Sequence, residues 1–217
     1  MTESRLGRPR IEGTGRLEAL SDGVVAIVVT LLVLELRLPE VQGHDPAAYA
    51  AAFAAVGPKF LSFIVSFVTV TIFWVNHHHF MTGVTHTDWK LLWLNSLLLF
   101  FLCITPFTTA VLGDHPTDSV PVAVYGLNLG LAGLAFALMG RYVLFVGRLV
   151  PESVPEAERA SEFRRSVIGS IVYLIAGGLG FIAPVVSLVL FVVVPITFVV
   201  PTLFGRSGDR SGDRSEL

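Results

Sequence analysis

The sequence predicts an all-α membrane protein with six transmembrane helices in each chain. Three observations predict this class. The mean hydropathy is +0.72, and only 15% of the 217 residues are charged, whereas a soluble domain carries about 25%. Six apolar segments come close to the roughly 20 residues that a helix needs to cross a bilayer. The Lys and Arg residues fall almost entirely on one side of those segments.

The composition and the charge exclude several classes of protein. With 53% hydrophobic residues, the chain lacks the polar surface of a soluble enzyme, a disordered regulator or a nucleic-acid-binding protein. The net charge of −2 provides no basic field for a nucleic acid. The single cysteine, Cys103, excludes a disulfide framework and a cysteine-based zinc cluster. No catalytic residues, metal ligands or bound cofactor are predicted.

The apolar segments set the order of the helices. The six predicted spans are 17–38, 50–76, 89–112, 120–147, 166–182 and 184–204. The last two are separated only by the step from Ala183 to Pro184, so we expect them to form a tight hairpin. Pro184 suits the first turn of a helix, where its missing N–H costs no hydrogen bond. One uninterrupted helix across both spans would be too long for a bilayer and would contain three prolines.

The basic residues predict the orientation. With six spans and an internal N-terminus, 13 of the 15 Lys and Arg residues fall on one side. The positive-inside rule then predicts a multi-pass protein of the cell membrane with both termini in the cytoplasm. The predicted organisation is a cytoplasmic tail at 1–15, a six-helix domain at 16–204 with a cytoplasmic linker at about 148–165, and a disordered tail at 205–217.

Polar residues near the cytoplasmic ends of helices one and two are candidate functional residues, since polar groups inside spans are costly. They are Arg16, Ser21, Asp22, Trp74, His77 and His78. Asp22 also fits a helix start at the membrane interface, where an acid meets the positive end of the helix dipole. Because a carboxylate among helices needs a partner, we expect Asp22 to bind one of the histidines. Asn95 is expected to form a hydrogen bond between helices.

The three adjacent histidines at 77–79 also raise the question of a metal site. Neighbouring side chains on a helix point about 100° apart, so the three cannot converge on one ion. The same helix offers no second histidine, cysteine or carboxylate three or four positions from any of them. Hydrogen bonding is therefore the favoured interpretation.

One face of helix one carries a narrow stripe of side chains. Ile27, Thr30, Leu31 and Leu34 fall within about 100° of one another on a helical wheel. Asp22 falls about 140° from Ile27, nearly opposite the stripe. Periodicity alone favours packing of this face against helices or lipid, with Thr30 bonding to its own backbone.

Small residues in helices four and five indicate close packing. Close approach of two helices requires small side chains at the contact. The candidates are Gly126, Gly130, Gly133 and Gly140 on helix four, and Gly177, Gly178 and Gly180 on helix five. Pro106 is expected to kink helix three.

These residues also match a known family. The segment Arg16-x-x-x-Leu20-Ser21-Asp22 resembles the R-x-x-x-F-S-D signature of the transmembrane protein 175 family, which contains the lysosomal potassium channel and its bacterial relatives. The resemblance continues at Trp74-Val75-Asn76-His77-His78, Phe80, Leu94-Asn95, Pro106-Phe107 and Tyr125. It covers nearly all of the chain outside the tails. Leu20 replaces the signature phenylalanine, which keeps the apolar bulk and loses the aromatic ring.

The resemblance implies a potassium-selective or potassium-preferring cation channel. It implies a homotetramer in the lipid bilayer, with helix one lining a central pore and potassium ions as the permeant species. By the family pattern, Ile27, Leu31 and Leu34 would form rings of hydrophobic constriction, and Thr30 would supply a ring of hydroxyls. Arg16, Ser21 and Asp22 would belong to a structural network with the polar residues of helices two and three.

Two other classes remain as alternatives. A proton- or cation-coupled secondary transporter needs ionisable groups near the midplane, often on broken helices, and no carboxylate lies in the middle of a predicted span. An intramembrane enzyme needs paired carboxylates, a nucleophile with its base, or a metal set. The spans offer none of these at matching depth.

Overall fold

The structure, a computed structural model, describes residues 13–41, 43 and 45–204, with side chains described as far as Pro195. The described part of the chain forms six α-helices. They are α1 (Gly15–Leu34), α2 (Pro46–Thr82), α3 (Trp89–Asp114), α4 (Ser119–Arg141), α5 (Glu156–Leu179) and α6 (Pro184–Phe204). A π-helical turn, Tyr142–Val146, continues α4. The predicted C-terminal tail and most of the predicted N-terminal tail lie outside the described residues.

The predicted all-α class is confirmed, and the apolar helices suit a membrane. Within the described residues, α1, α2, α3 and α4 with its π-helical turn are long and apolar enough to cross a bilayer. The apolar part of α5 is shorter, because charged residues fill its first turns. The described side chains of α6, Pro184–Pro195, also form an apolar helix. The predicted hairpin between α5 and α6 is present, with a turn at 180–183.

Three helices have bounds that differ from those of the predicted spans. α1 ends at Leu34 rather than at residue 38. Pro39 would not favour a longer helix, because it disfavours helical backbone at residue 38 and has no N–H to donate. α2 runs through the histidines to Thr82. α5 begins at Glu156, so the second half of the predicted linker at 148–165 is helical.

The starts of α2 and α3 follow ordinary capping rules. Asp45 accepts a hydrogen bond from the amide of Ala47 at 3.0 Å, and Pro46 occupies the first helical position. Asp88 accepts from the amide of Leu91 at 2.8 Å. With 37 residues, α2 is about 55 Å long, well beyond the roughly 30 Å of a hydrocarbon core.

The contact between α4 and α5 depends on glycine. A Cβ atom on Gly126 would lie 2.4 Å from the Cα of Gly177, and one on Gly133 would lie 2.8 Å from the Oγ of Ser170. Similar crowding occurs at Gly130 and Gly180. The prediction of close packing is confirmed at these positions. It was wrong for Gly140 and Gly178, where a Cβ would meet no atom within 4 Å.

Two apolar cores hold the helices together. The first joins α1, α2, α3 and α4 and includes Val28, Val70, Leu98 and Met139. The second joins the other ends of α3 and α4 to α5 and α6, and it includes Tyr125, Tyr173 and Phe191. Among the described residues, α1 contributes only to the first core, and its opposite face stays largely uncovered by them.

Candidate functional site on the first helix

α1 has a buried face and an exposed face. The buried face carries Leu17, Ser21, Val25, Val28 and Leu32, which pack against α2 and α3. The stripe predicted from the sequence lies on the exposed face, where Ile27 is 59%, Leu31 40% and Leu34 62% exposed. Exposure of this much apolar surface to water would be unfavourable in free energy. A single chain therefore leaves this stripe for lipid or for another chain to cover.

Thr30 provides the only hydroxyl of the stripe. Its side chain is exposed, and its Oγ1 donates a hydrogen bond to the carbonyl oxygen of Ile27 at 2.8 Å. The predicted bond to its own backbone is confirmed. Because the hydroxyl proton is used in this bond, the oxygen keeps lone pairs that can accept or can coordinate a cation.

A buried hydrogen-bonded chain fastens α1 to α3 and α2. The amide nitrogen of Asn95 donates to the Oγ of Ser21 at 3.0 Å, and its oxygen lies 2.8 Å from the Nε2 of His77. This orientation makes His77 Nε2 the donor, so His77 carries its proton on that nitrogen. All three side chains are buried. The predicted hydrogen bond of Asn95 between helices is confirmed.

Asp22 binds a different partner from the one predicted. The indole N–H of Trp74 donates to its Oδ1 at 2.8 Å, and the Trp74 ring stacks on His78 with 5.8 Å between ring centroids. The expected bond from a histidine was wrong. Since α2 continues as a helix, Trp74 and His78 share one face, one turn apart, while His77 points toward Asn95. Asp22 is also exposed within the chain rather than buried.

Arg16 takes no part in this network, and the three adjacent histidines do not converge on one point. Arg16 is exposed and makes no hydrogen bond or ion pair with the described residues. The adjacent histidines diverge, with His77 buried and His78 and His79 exposed. Among the described residues, no group of three His, Cys, Asp or Glu side chains could hold a metal ion.

A second buried polar cluster was missed by the sequence reasoning. Ser66 Oγ lies 2.9 Å from the hydroxyl of Tyr125 and accepts from Thr109 at 2.7 Å, joining α2, α3 and α4. Nearby, Asn128 donates to Thr105 at 3.2 Å. The signal was present as hydroxyl residues repeated every four positions on α2 and α3, a spacing that places them on one face.

The fold and the site together define an all-α membrane protein with six described helices. Its first helix packs against α2 and α3 on one face and is exposed on the other. The family model described as "Endosomal/lysosomal potassium channel TMEM175" matches residues 16–106. The relative named potassium channel in Chryseobacterium sp. (strain P1-3) is 32% identical over 86% of this chain and 93% of its own length. The chain therefore belongs to the TMEM175 family.

Other comparisons agree with this assignment. The crystal structure of a lysosomal potassium-selective channel TMEM175 homolog from Chamaesiphon minutus matches with a TM-score of 0.77 and 31% identity, over 87% of this chain and 97% of that chain. Human endosomal/lysosomal proton channel TMEM175 is 35% identical over 48% of this chain, which corresponds to 23% of the human protein. These relatives are ion channels rather than enzymes.

Proposed function

We propose that this protein is a potassium-selective channel that assembles as a homotetramer in the cell membrane, with α1 lining a central pore. The observation that carries the proposal is the uncovered stripe of α1, where Ile27 and Leu34 are more than half exposed while the opposite face is buried. One helix cannot enclose a pore, so the stripe needs copies of itself around an axis. The bacterial relatives named potassium channels support the permeant ion.

The apolar residues of the stripe form the barrier in this proposal. A ring of four Ile27 side chains cannot coordinate a cation, and a narrow apolar ring loses its water readily. Rings from Leu31 and Leu34 extend the barrier toward the C-terminal end of α1. A cation must shed part of its hydration to pass. Potassium holds its water less tightly than sodium, so such a path favours potassium.

Thr30 supplies the coordination. In the tetramer, four hydroxyl oxygens would face the axis between the apolar rings. Each donates its proton to Ile27 of its own helix, so the lone pairs remain available to a partly dehydrated cation. The hydroxyls thereby replace some of the water ligands that the cation loses.

The polar network holds the pore helix in place. Ser21, Asn95 and His77 tie the buried face of α1 to α3 and α2. Asp22 and Trp74 tie its flank to α2, and His78 supports the Trp74 ring. A rotation of α1 that turned its stripe away from the axis would break these hydrogen bonds. Arg16 lies at the same end of α1, one residue after the helix begins, and its side chain is exposed.

The distribution of charge supports cytoplasmic termini. Lys90, Arg141 and Arg148 lie at the membrane end that also holds the start of α1. At the opposite end, Lys59 forms an ion pair with Asp114 at 2.5 Å, which neutralises one of the two basic residues there. The positive-inside rule places the more basic end in the cytoplasm.

The test is ion flux in liposomes that contain the purified protein. A channel dissipates a potassium gradient electrically with no coupled ion, whereas a secondary transporter, the alternative, requires one. A sodium gradient and a pH gradient are measured in parallel, since the human relative is named a proton channel. Electroneutral, ion-coupled uptake would support the transporter and contradict the proposal.

The constriction is tested with Ile27→Asn, which should hydrate the apolar ring. We expect a larger current and a weaker preference for potassium over sodium. Ile175→Asn is the matched control, because Ile175 on α5 is 55% exposed and Ile27 is 59% exposed. The control should conduct as the unmodified channel does. Equal effects of the two substitutions would show that α1 does not line the pore.

A further inference from the structure

Lys90 lies over the ring of Tyr142 where α4 ends, and two arginines lie close to this tyrosine in the chain. The Nζ of Lys90 lies 5.7 Å from the centroid of this ring. Arg141 precedes Tyr142 in the chain. Gly147 packs so closely that a Cβ on it would lie 3.0 Å from the ring, and Arg148 follows it directly. The three cations are exposed, and the contact of Lys90 with Tyr142 brings the start of α3 to the end of α4, which carries the two arginines.

Within the described residues, none of these cations has an ion-pair partner. The ion pairs found there belong to Lys59, His115 and Arg165. The neighbouring Asp88 carboxylate offsets one of the three charges. It accepts hydrogen bonds from the Tyr142 hydroxyl and from the amide of Leu91. Asp88 therefore stabilises the local structure and forms no ion pair with a described residue. The surface keeps a net positive charge.

The backbone holds Arg148 in an unusual conformation. Its φ is +49°, in the left-handed region that favours glycine and asparagine over arginine. The flanking amides are fixed, since Gly147 donates to the Tyr142 carbonyl at 2.7 Å and Leu149 to that of Val143 at 3.0 Å. The carbonyl of Leu149 accepts from Thr85. The backbone of Arg148 is therefore held close to that of Tyr142 and Val143.

Exposed apolar side chains lie near the three cations in the chain. Trp89 and Trp93 on α3 are 52% and 74% exposed, and Phe145 and Val146 on the π-helical turn are 39% and 61% exposed. Tryptophans of membrane proteins concentrate at the headgroup level of the bilayer. The cations beside them then lie at the depth of the lipid phosphates.

We propose that this surface, formed by Lys90, Arg141 and Arg148 with the exposed apolar side chains near them in the chain, binds the headgroup of an anionic phospholipid in the cytoplasmic leaflet. A guanidinium binds phosphate oxygens in a bidentate manner, and an ammonium adds a compact charge. Basic surfaces between transmembrane helices on the cytoplasmic side suit such headgroups. The assignment to the cytoplasmic leaflet rests on the orientation in the proposed function, whereas the charge and the geometry of the surface do not depend on it.

The surface is linked to the start of the pore helix. Thr87, one residue before the helix cap Asp88, donates a hydrogen bond to the carbonyl of Gly13 at 3.3 Å. Gly13 lies two residues before α1 begins. A lipid that fixes Lys90 and the end of α4 therefore also steadies the loop that contacts the chain leading into α1.

The experiment is native mass spectrometry of the purified full-length protein in mild detergent, titrated with phosphatidylglycerol or phosphatidylcholine. We expect preferential binding of phosphatidylglycerol. Lys90→Gln combined with Arg148→Asn should lower its apparent affinity by roughly tenfold or more. Asparagine accepts left-handed backbone, so the second change removes charge without adding strain. The charge-preserving pair Lys90→Arg with Arg148→Lys should retain most of the binding.

Arg164→Gln with Arg165→Gln is the matched control, since it removes the same charge from exposed positions on α5. An equal loss in this control would overturn the proposal, because bulk charge would then explain the binding. Equal binding of the two lipids to the unmodified protein would also overturn it. Glycerol phosphate should not displace the lipid, and full displacement would point to free phosphate as the ligand. Because lipid binding is measured without ion flux, the result does not depend on whether the protein conducts potassium.

Discussion

α1 and α4 are both long apolar helices, but the chain surrounds them differently. α4 meets α5 through Gly126 and Gly133, and Tyr125 on the same helix is fully buried. α1 is covered on one face and leaves Ile27 and Leu34 more than half exposed. The described residues thus bury much more of α4 than of α1, although Val120 and Leu127 on α4 are also at least half exposed. We therefore expect the stability of the chain to depend most on α4, whereas in the proposed function assembly and permeation depend on α1.

The largest effect is expected from breaking the contact of α4. Gly126→Ala places a Cβ 2.4 Å from the Cα of Gly177, and backbone cannot move aside as a flexible side chain does. Overpacking costs about 1–3 kcal/mol and occasionally more, and we expect the upper end here. The measurement is the apparent Tm of the purified protein, read by size-exclusion chromatography after heating.

Gly140→Ala provides the control on the same helix. A Cβ there meets no atom within 4 Å, and alanine favours helix over glycine by up to about 1 kcal/mol. Its Tm should be unchanged or slightly higher. If both alanine variants melt at the same temperature as the unmodified protein, α4 and α5 are not packed through Gly126.

The next effect concerns the covered face of α1. Asn95→Ala removes the shared partner of Ser21 and His77. Ser21 keeps its hydrogen bond to the carbonyl of Leu17, whereas the buried His77 loses its partner, and an unsatisfied buried polar group costs about 1–3 kcal/mol. We expect a marked loss of folded protein and of the assembled oligomer, measured as the yield of the oligomer peak. Ser96→Ala is the control, since this neighbouring hydroxyl is exposed and bonds only to the carbonyl of Leu92. Similar yields for the two variants would show that the network does not fasten α1.

The covered and uncovered faces of α1 also differ in how far the sequence predicted them. Helical periodicity placed Ile27, Leu31 and Leu34 on one face, and this face is uncovered in the chain. Capping residues and polar residues inside spans have local causes, so the start of α3 and the bridging role of Asn95 were predictable. The close approach of α4 and α5 followed from glycine spacing.

The pairing of Asp22 was not predictable, because it depends on how α2 is rotated relative to α1. That rotation is set by the packing of both helices, and periodicity along one helix does not contain it. The start of α5 was missed for another reason. Hydropathy does not detect a charged helical segment, although Pro155 and the acidic first turn with Glu156 and Glu158 are typical of a helix start.

A smaller effect is expected at the flank of α1, between its two faces. Asp22→Ala and Trp74→Phe each remove one side of a single hydrogen bond. Hydrogen bonds to charged groups contribute about 1.5–3 kcal/mol when buried, and the exposure of Asp22 reduces this value. We expect a coupling energy near the lower end of the 0.5–3 kcal/mol seen for contacting residues, measured by a double-mutant cycle on thermal stability.

Ion preference should stay unchanged in the Asp22 variants that assemble, because Asp22 lies away from the stripe. Trp93→Phe serves as the control partner in the cycle, since the Trp93 ring is 74% exposed and has no bond to Asp22. Coupling of the same size with Trp93 would mean that the cycle reports something other than the bond between Asp22 and Trp74.

The smallest effect on stability, and the most specific effect on permeation, is expected at the uncovered face itself. Thr30→Val keeps the shape of the side chain and removes the hydroxyl that donates to Ile27. Because Thr30 is exposed within the chain, assembly and Tm should be preserved. Loss of a net interaction of about 1 kcal/mol corresponds to about a fivefold lower preference for potassium over sodium. The reversal potential with potassium on one side and sodium on the other measures this ratio.

Thr71→Val is the matched control for this last comparison. Thr71 on α2 makes the same kind of bond to its own helix, from Oγ1 to the carbonyl of Phe67 at 2.8 Å, but it lies outside the stripe. Both substitutions therefore remove a hydroxyl bonded to its own backbone, and only Thr30→Val removes one from the proposed pore axis. A shifted reversal potential in Thr30→Val alone supports coordination by the hydroxyl ring. An unchanged reversal potential in Thr30→Val, together with a shift in Ile27→Asn, would leave the apolar rings as the source of selectivity. The uncovered face of α1 would then set the ion preference through the diameter and the dewetting of the apolar rings, rather than through coordination by the Thr30 oxygen atoms.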